Sequence, residues 1–406
     1  MKDLRDDFLP VILGADENAY GCARLFYEKY GIVSVLLSSR PLAATDHSRI
    51  LLRKVVPGLD TQSVFCRAVP PFLSALKAEY GKLLLIPCSD YYTALMVRNA
   101  PLIEKSISNP IIPPELFERI SDKIAFYHLC DMHGLSYPET VISLPSMLYG
   151  KDLPFCFPCV LKPANSNSYS YLNSGIKNRK KVYFCKSKED LFSALDAFLA
   201  AEFNEQVVVQ RFIRGGDSNM RVINAYADTC GRVRIVGIGK PLLEYCDPES
   251  IGNYAAINVI KNRMLCDEAA DFLERIGYRG FANFDLKFDP DTGKYLFFEL
   301  NPRQGRSSYF IHTAGKNLMR VMVEDVIDNV SFKEREYAER PGVWSNVPSS
   351  VVRRYSDALD KNTPLRTDSA LSCFFDFSPM RALKLARRNY LTRLKFQNTY
   401  FDKRDF

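Results

Sequence analysis

Residues 280–305 read GFANFDLKFDPDTGKYLFFELNPRQG. Phe284, Leu286 and Phe288 alternate with Asp285, Lys287 and Asp289, the period-two pattern of a half-buried strand. Asp289-Pro290-Asp291-Thr292-Gly293 is turn chemistry, and residues 295–300 form a second strand that Asn301-Pro302 ends. In a hairpin without a bulge, this odd-length turn sets the odd-numbered residues of both strands on one face. Asp285, Glu299 and Asn301 then converge. Two carboxylates and an amide oxygen are hard donors, suited to Mg²⁺ or Mn²⁺ shared with a phosphate. Arg303 adds a fixed positive charge beside them. A solvated hairpin face would carry such charges too. Glu299, however, lies inside the apolar run Tyr295-Leu296-Phe297-Phe298-Glu299-Leu300. There an unpaired carboxylate is costly to bury, and a metal partner resolves that cost.

Working outward, the chain of 406 residues exceeds one ordinary domain, which predicts two or three subdomains. Apolar residues at 47% suffice for a sizeable core, and 25% charged is the balance of a water-exposed globule. A formal charge of +7 suits phosphate-bearing substrates without implying nucleic acid. No run of about 18 apolar residues predicts a membrane span. The charged start, Met1-Lys2-Asp3-Leu4-Arg5-Asp6-Asp7, is unlike a signal peptide, so a cytoplasmic protein is expected. Eleven scattered cysteines then read as reduced and mostly buried. Cys156-Phe157-Pro158-Cys159 is formally C-x-x-C, but no second pair follows at metal spacing. Four histidines make a histidine-based metal site a poor reading.

In chain order, residues 8–38 read strand–helix–strand, and residues 83–87 read as a buried strand followed by a helix to about Asn99. Strands alternating with helices predict a parallel sheet, with ligands beyond the carboxyl ends of its strands, where Gly14 and Asp90 fall. A dinucleotide G-x-G-x-x-G is absent. Residues 111–114 look like a linker, and Ser121 is the expected N-cap of the next helix. The apolar strand at 157–163 ends in Lys162-Pro163, placing one ammonium at a strand tip where it can meet phosphate oxygens. A Ser- and Asn-rich loop spans 164–178. Then come a helix at about 188–203, a strand at 206–213 and a turn leading to Asp217. Strands at 220–227 and 233–240 precede an amphipathic helix at 262–276, and 309–329 is apolar and helical. The tail carries Arg381, Lys384, Arg387, Arg388, Arg393, Lys395, Lys403 and Arg404 against Asp402 and Asp405. Such a helix either touches an anionic membrane surface or an acidic partner, or is a solvated face or homodimer contact.

An Asp on one strand followed by a strand ending E-L-N-P-R resembles the metal-binding end of the ATP-grasp superfamily of carboxylate–amine ligases. The D-K stretch at 122–140, the V-L-K-P strand at 160–163 and the Q-R-F-I strand at 210–213 with Asp217 beyond it occur in the family's order. Together they cover roughly residues 8–330. The resemblance implies an α/β (α+β) ATP-grasp fold. Residues 1–112 would form an N-terminal open parallel sheet, 113–213 a central lid, 214–330 a C-terminal antiparallel subdomain with the metal site, and 331–406 a basic extension. It also implies roles. Lys123 and Lys162 would hold the ATP phosphates. Gln210, Arg211, Phe212 and Ile213 would bind the nucleotide, the backbone of Arg211 and Ile213 meeting adenine and Phe212 lining the cleft. Asp217, where the family more often has Glu, would hold the ribose. Asp285, Glu299 and Asn301 would hold two Mg²⁺ (or Mn²⁺) ions, and Arg303 would stabilise an acyl phosphate or bind the carboxylate. Many members carry a glycine-rich phosphate flap where this chain has 164–178, with Gly175 its one glycine. Length and the run of motifs also resemble bacterial D-aspartate ligases that build peptidoglycan cross-bridges. That implies D-aspartate as the carboxylate and a peptidoglycan precursor as the amine. A ligase for another amino acid or peptide, a non-catalytic ATP-binding scaffold, and acyl-CoA or biotin-carboxylase-type chemistry stay open beside it.

Overall fold

Residues Leu9–Leu13 are buried at every position, as a strand covered on both faces must be. In the computed structural model, which describes residues 5–165, 169–177, 179–246, 250, 252–359 and 365–400, this strand is an inner member of a parallel sheet. The order is Leu51–Val55, Ser34–Ser38, Leu9–Leu13, Leu83–Pro87. Val11 lies opposite Val35 on one side and Leu85 on the other. Helix Glu17–Tyr30 begins where the Asp16 side chain accepts the Ala19 N–H and ends at Gly31, whose φ of 73° suits glycine. Helix Gln62–Tyr80 contains Pro70 and Pro71, yet holds its register by burying Phe65, Val69 and Leu73 at four-residue spacing.

The chain packs as two units, Met1–Pro114 with Asp217–Phe284 and Asn301–Phe406, and Glu115–Gly216 with Asp285–Leu300. Beside the parallel sheet, the first unit holds a larger, mainly antiparallel sheet. From residues 280–284 of strand Gly280–Asp289 it runs through Met220–Ala227, Val233–Glu244, Tyr254–Ile260, Val343–Ser345 and Thr367–Asp368. Strand Glu336–Ala338 pairs in parallel with Val233–Glu244. Residues 331–406 thus supply three short strands to this sheet. One core cluster of this unit joins Phe8, Tyr20 and Phe26 to Phe310, Met322 and Trp344. The apolar stretch 309–329 is two helices, Phe310–Thr313 and Leu318–Val326, parted at Gly315 with φ 84° and restarted by the Asn317 cap.

The second unit is built on an antiparallel sheet ordered Thr140–Ser143, Val207–Arg211, Cys159–Pro163, Tyr183–Cys185. Helix Lys188–Ala200 covers it with Leu191, Leu195 and Phe198. The expected Ser121 cap is corrected: Ser121 closes helix Pro114–Ser121, and Asp122 caps helix Lys123–His133 by accepting the Ala125 N–H. All eleven cysteines are free thiols. Cys156 is exposed while Cys159 is buried opposite Cys185, so the C-x-x-C spacing reflects one buried strand position beside a loop.

Candidate active site

Sheet register sets the first part of the site, within the second unit. Lys162 lies opposite Val208, and Val160 opposite Gln210, so Lys162 and Gln210 are diagonal neighbours on one face. The Lys162 Nζ donates to Gln210 Oε1 at 3.0 Å. Gln210 is 3% exposed, and its Nε2 donates to the Tyr127 hydroxyl at 2.9 Å and to Thr140 Oγ1 at 3.0 Å. Both ends of the amide are therefore committed, which fixes its orientation. Gln210 acts here by holding Lys162. Lys123 starts its helix with its N–H on the Ala164 carbonyl at 3.2 Å, tying the helix to the end of the Lys162 strand. Burial pushes the Lys162 ammonium down to about 8; the nearby Lys123 charge adds to this and Glu299 opposes it. Two lysines are thus brought together, one of them desolvated, with Glu299 close enough to be felt there.

The strand end at 211–213 is partly committed already. The Arg211 N–H donates to the Glu139 carbonyl at 2.9 Å, and Lys287 Nζ donates to the Ile213 carbonyl at 2.7 Å. Phe212 is held by Phe184 with ring centroids 4.9 Å apart and by Lys287 Nζ at 5.1 Å. The Arg211 side chain binds Asp289, which is fully buried. Two readings of the hairpin are corrected. Asp289 is buried while Phe288 is only half-buried, so the alternation of the first strand fails at its end. Glu299 is exposed rather than buried, because Leu296, Phe297 and Leu300 account for the apolar burial of its strand. Burial thus gives no reason for a metal; what remains is the donor chemistry. Asp285 is half-buried. Among the described residues no three His, Cys, Asp or Glu side chains gather as a metal-ligand cluster. Asp285 and Glu299 offer carboxylate oxygens and Asn301 an amide oxygen, hard donors whose chemistry suits Mg²⁺. Of the loop expected to close over phosphate, residues 166–168 and 178 lie outside the described residues; Tyr169–Leu172 forms a short helix.

Asn301, Arg303 and Asp217 belong to the first unit. The Asn301 Nδ2 donates to Asn283 Oδ1 at 3.5 Å, so its amide nitrogen is oriented toward the strand. Arg303 forks onto Asp90, Nε to Oδ1 at 2.6 Å and Nη2 to Oδ2 at 3.0 Å. Asp90 opens helix Asp90–Arg98 just beyond the carboxyl end of strand Leu83–Pro87. The neighbouring strand end carries Asp16, 3.5 Å from Arg306. Burial and the adjacent Glu17 raise the Asp16 carboxyl to about 6, with Arg306 opposing. Glu17 in turn holds Arg388 at 2.5 Å. Sequence reasoning named Asp90 only as a strand-end position and did not single out Asp16 or Arg306, whose pairing joins distant segments. Asp217 uses one carboxylate oxygen on the Glu244 N–H at 3.0 Å.

No family model matches the chain. A curated D-aspartate ligase of Enterococcus faecium (strain Aus0004) is 39% identical over 363 residues, covering 86% of this chain and 85% of its own. The chain belongs to the D-aspartate ligase family. It is an ATP-grasp ligase that forms carbon–nitrogen bonds between a carboxylate and an amine. Solved structures agree on the fold. An L-amino acid ligase from Bacillus licheniformis superposes with a TM-score of 0.55 at 16% identity, covering 79% of this chain and 74% of its own. The N5-carboxyaminoimidazole synthetase of Staphylococcus aureus, solved with ADP, gives 0.58 at 11% identity, covering 84% and 83%. At these identities the likeness bears on the fold. No described helix is long and apolar enough to cross a membrane.

Proposed function

We propose that this ligase joins the side-chain carboxylate of D-aspartate to an amine of a peptidoglycan precursor at the expense of ATP. The observation that carries the reading is the identity to a D-aspartate ligase along most of both chains. The site residues fit it. Lys123 and Lys162 bind the ATP phosphates, with Gln210 aiming Lys162. The segment Arg211-Phe212-Ile213 lines the adenine, and Asp217 offers the ribose its second carboxylate oxygen. Asp285, Glu299 and Asn301 hold magnesium, two ions in this reading, which neutralises triphosphate charge when bound.

D-Aspartate carries two carboxylates and an ammonium. Arg303 and Arg306 match the former and Asp16 the latter, all in one unit, the arginines resting on Asp90 and Asp16 beyond adjoining strand ends. The side-chain carboxylate attacks the γ-phosphorus, forming an acyl phosphate and releasing ADP. An unprotonated amine then attacks the acyl carbon, phosphate leaves, and the amine loses its proton as the amide forms. The chain's own contribution is positioning and charge. Arg303, forked onto Asp90, is held ready for the oxygens where charge develops. No protein nucleophile is required. The reading carries with it a cytoplasmic location, where ATP and the precursor are made. It is tested by phosphate release with D-aspartate, L-aspartate and other amino acids crossed with precursor and simple amines. Release with D-aspartate and precursor together supports it. Release with a different carboxylate, or nucleotide binding without turnover across the panel, overturns it.

A further inference from the structure

The helix Pro379–Thr399 has two faces of different character. Its inward basic residues are each matched to acid or carbonyl. Arg381 is 2% exposed, 3.2 Å from Asp376, and donates to the Ala44 carbonyl at 2.8 Å. Lys384 pairs with Asp46, and Arg388 with Glu17. The outward face is apolar. Met380, Leu383, Tyr390 and Leu391 are 50%, 66%, 59% and 46% exposed. At about 100° per residue, these four and Leu394 fall within about 60° either side of Arg387. Arg387 and Arg393 are exposed, and the helix contains no Asp or Glu.

The turn before the helix extends this surface. Asp376 is 1% exposed and accepts from the Tyr20 hydroxyl at 2.8 Å, the Ser48 hydroxyl at 2.8 Å and the Arg49 N–H at 2.6 Å. That anchor fixes the backbone on either side of it. Phe374 and Phe377 are thereby held outward, 97% and 61% exposed. Large rings fixed in water beside an apolar stripe are a contact surface in waiting.

We propose that this turn and helix dock on the surface of an anionic lipid bilayer, lying in the interfacial plane. Aromatic and aliphatic side chains enter the headgroup boundary while arginines meet lipid phosphate. A second copy is the poorer occupant: two such faces would set Arg387, at the centre of the stripe, against its like, with no acid on the helix to pair it. The proposal does not depend on which substrate the ligase takes.

The test uses the full chain and co-sedimentation with vesicles of phosphatidylcholine alone or mixed with phosphatidylglycerol. Binding to the mixed vesicles and not to the neutral ones, weakening as salt rises, is expected. Arg387→Ser with Arg393→Ser weakens binding about 25-fold, each arginine near an anionic surface contributing about fivefold. Phe374→Ser with Phe377→Ser and Leu383→Ser abolishes it, while melting temperature and ATP binding stay those of the parent. The proposal is overturned by a parent protein that ignores both vesicles, by equal binding to neutral ones, or by variants that bind unchanged. A dimer that separates on Leu383→Asp, in a protein that leaves vesicles alone, assigns the face to a second copy and overturns it equally.

Discussion

Lys162 is a lysine whose charge the fold opposes and whose direction the fold fixes. Burial and Lys123 lower it to about 8, so it is largely protonated at pH 7 and loses that charge above 8. Nucleotide affinity should fall about tenfold per pH unit above 8 in a titration of ADP or ATP, and Lys162→Arg, charged throughout, should flatten that limb. Without nucleotide the sign reverses. The folded value lies below lysine's ordinary 10.5, so the penalty is full below about 8 and fades as pH rises toward 10.5. The empty protein should therefore gain stability over that window in denaturant unfolding. Gln210→Met strips Lys162 of its acceptor and the hydroxyls of buried Tyr127 and half-buried Thr140 of a donor. A loss of about 1–3 kcal/mol in stability, with weaker nucleotide binding, is expected. Asp90 behaves differently, because it is half-open to solvent. Asp90→Asn should move stability by less than about 1 kcal/mol. Yet it should lower kcat/KM about 10- to 100-fold by letting Arg303 swing. An unchanged kcat/KM would remove Asp90 from the site.

At the scale of elements, the turn after E-L-N-P-R is packed against its neighbours. A Cβ on Gly305 would come within 2.9 Å of the buried Asn283 side chain, while the Gly305 N–H donates to Asn224 Oδ1 at 3.1 Å. Gly305→Ala should cost about 1–3 kcal/mol, read by thermal or denaturant unfolding. Elements that bury a continuous apolar run were legible in the sequence. Leu83–Pro87 matches to the residue, and helix Arg263–Arg275 follows its periodicity to within a residue at each end. Helix Gln62–Tyr80 was not legible, because Pro70-Pro71 removes two N–H groups and reads as a break while tertiary packing carries the helix through. Edge strand Leu51–Val55 buries only Leu51 and shows no alternation to find. Glu299 was misjudged for the opposite reason: flanking apolar residues said buried, and only the path of the strand could say exposed. The Arg303–Asp90 pair joins residues 213 apart, a separation over which local pattern carries no information. Lys162, at a strand tip, was legible; its partnership with Gln210 came only from sheet register.

Across the whole molecule, family membership and fold point to one chemistry, while the substrate rests on a relative's likeness and a set of matching charges. The oxygen-only ligand set proposed at Asp285, Glu299 and Asn301 predicts that chelating divalent metal stops turnover and that Mg²⁺ restores it. Glu299 is exposed, so Glu299→Gln should leave folding intact while lowering turnover about a thousandfold. The most direct measurement is therefore ADP formation by the parent protein and by Glu299→Gln, with D-aspartate, a lysine-containing precursor and Mg²⁺ each present or withheld. The account predicts ADP and an aspartyl amide product only when all three are present, and next to none from the variant. ADP formation that ignores D-aspartate or the amine, or a fully active Glu299→Gln protein, would contradict it.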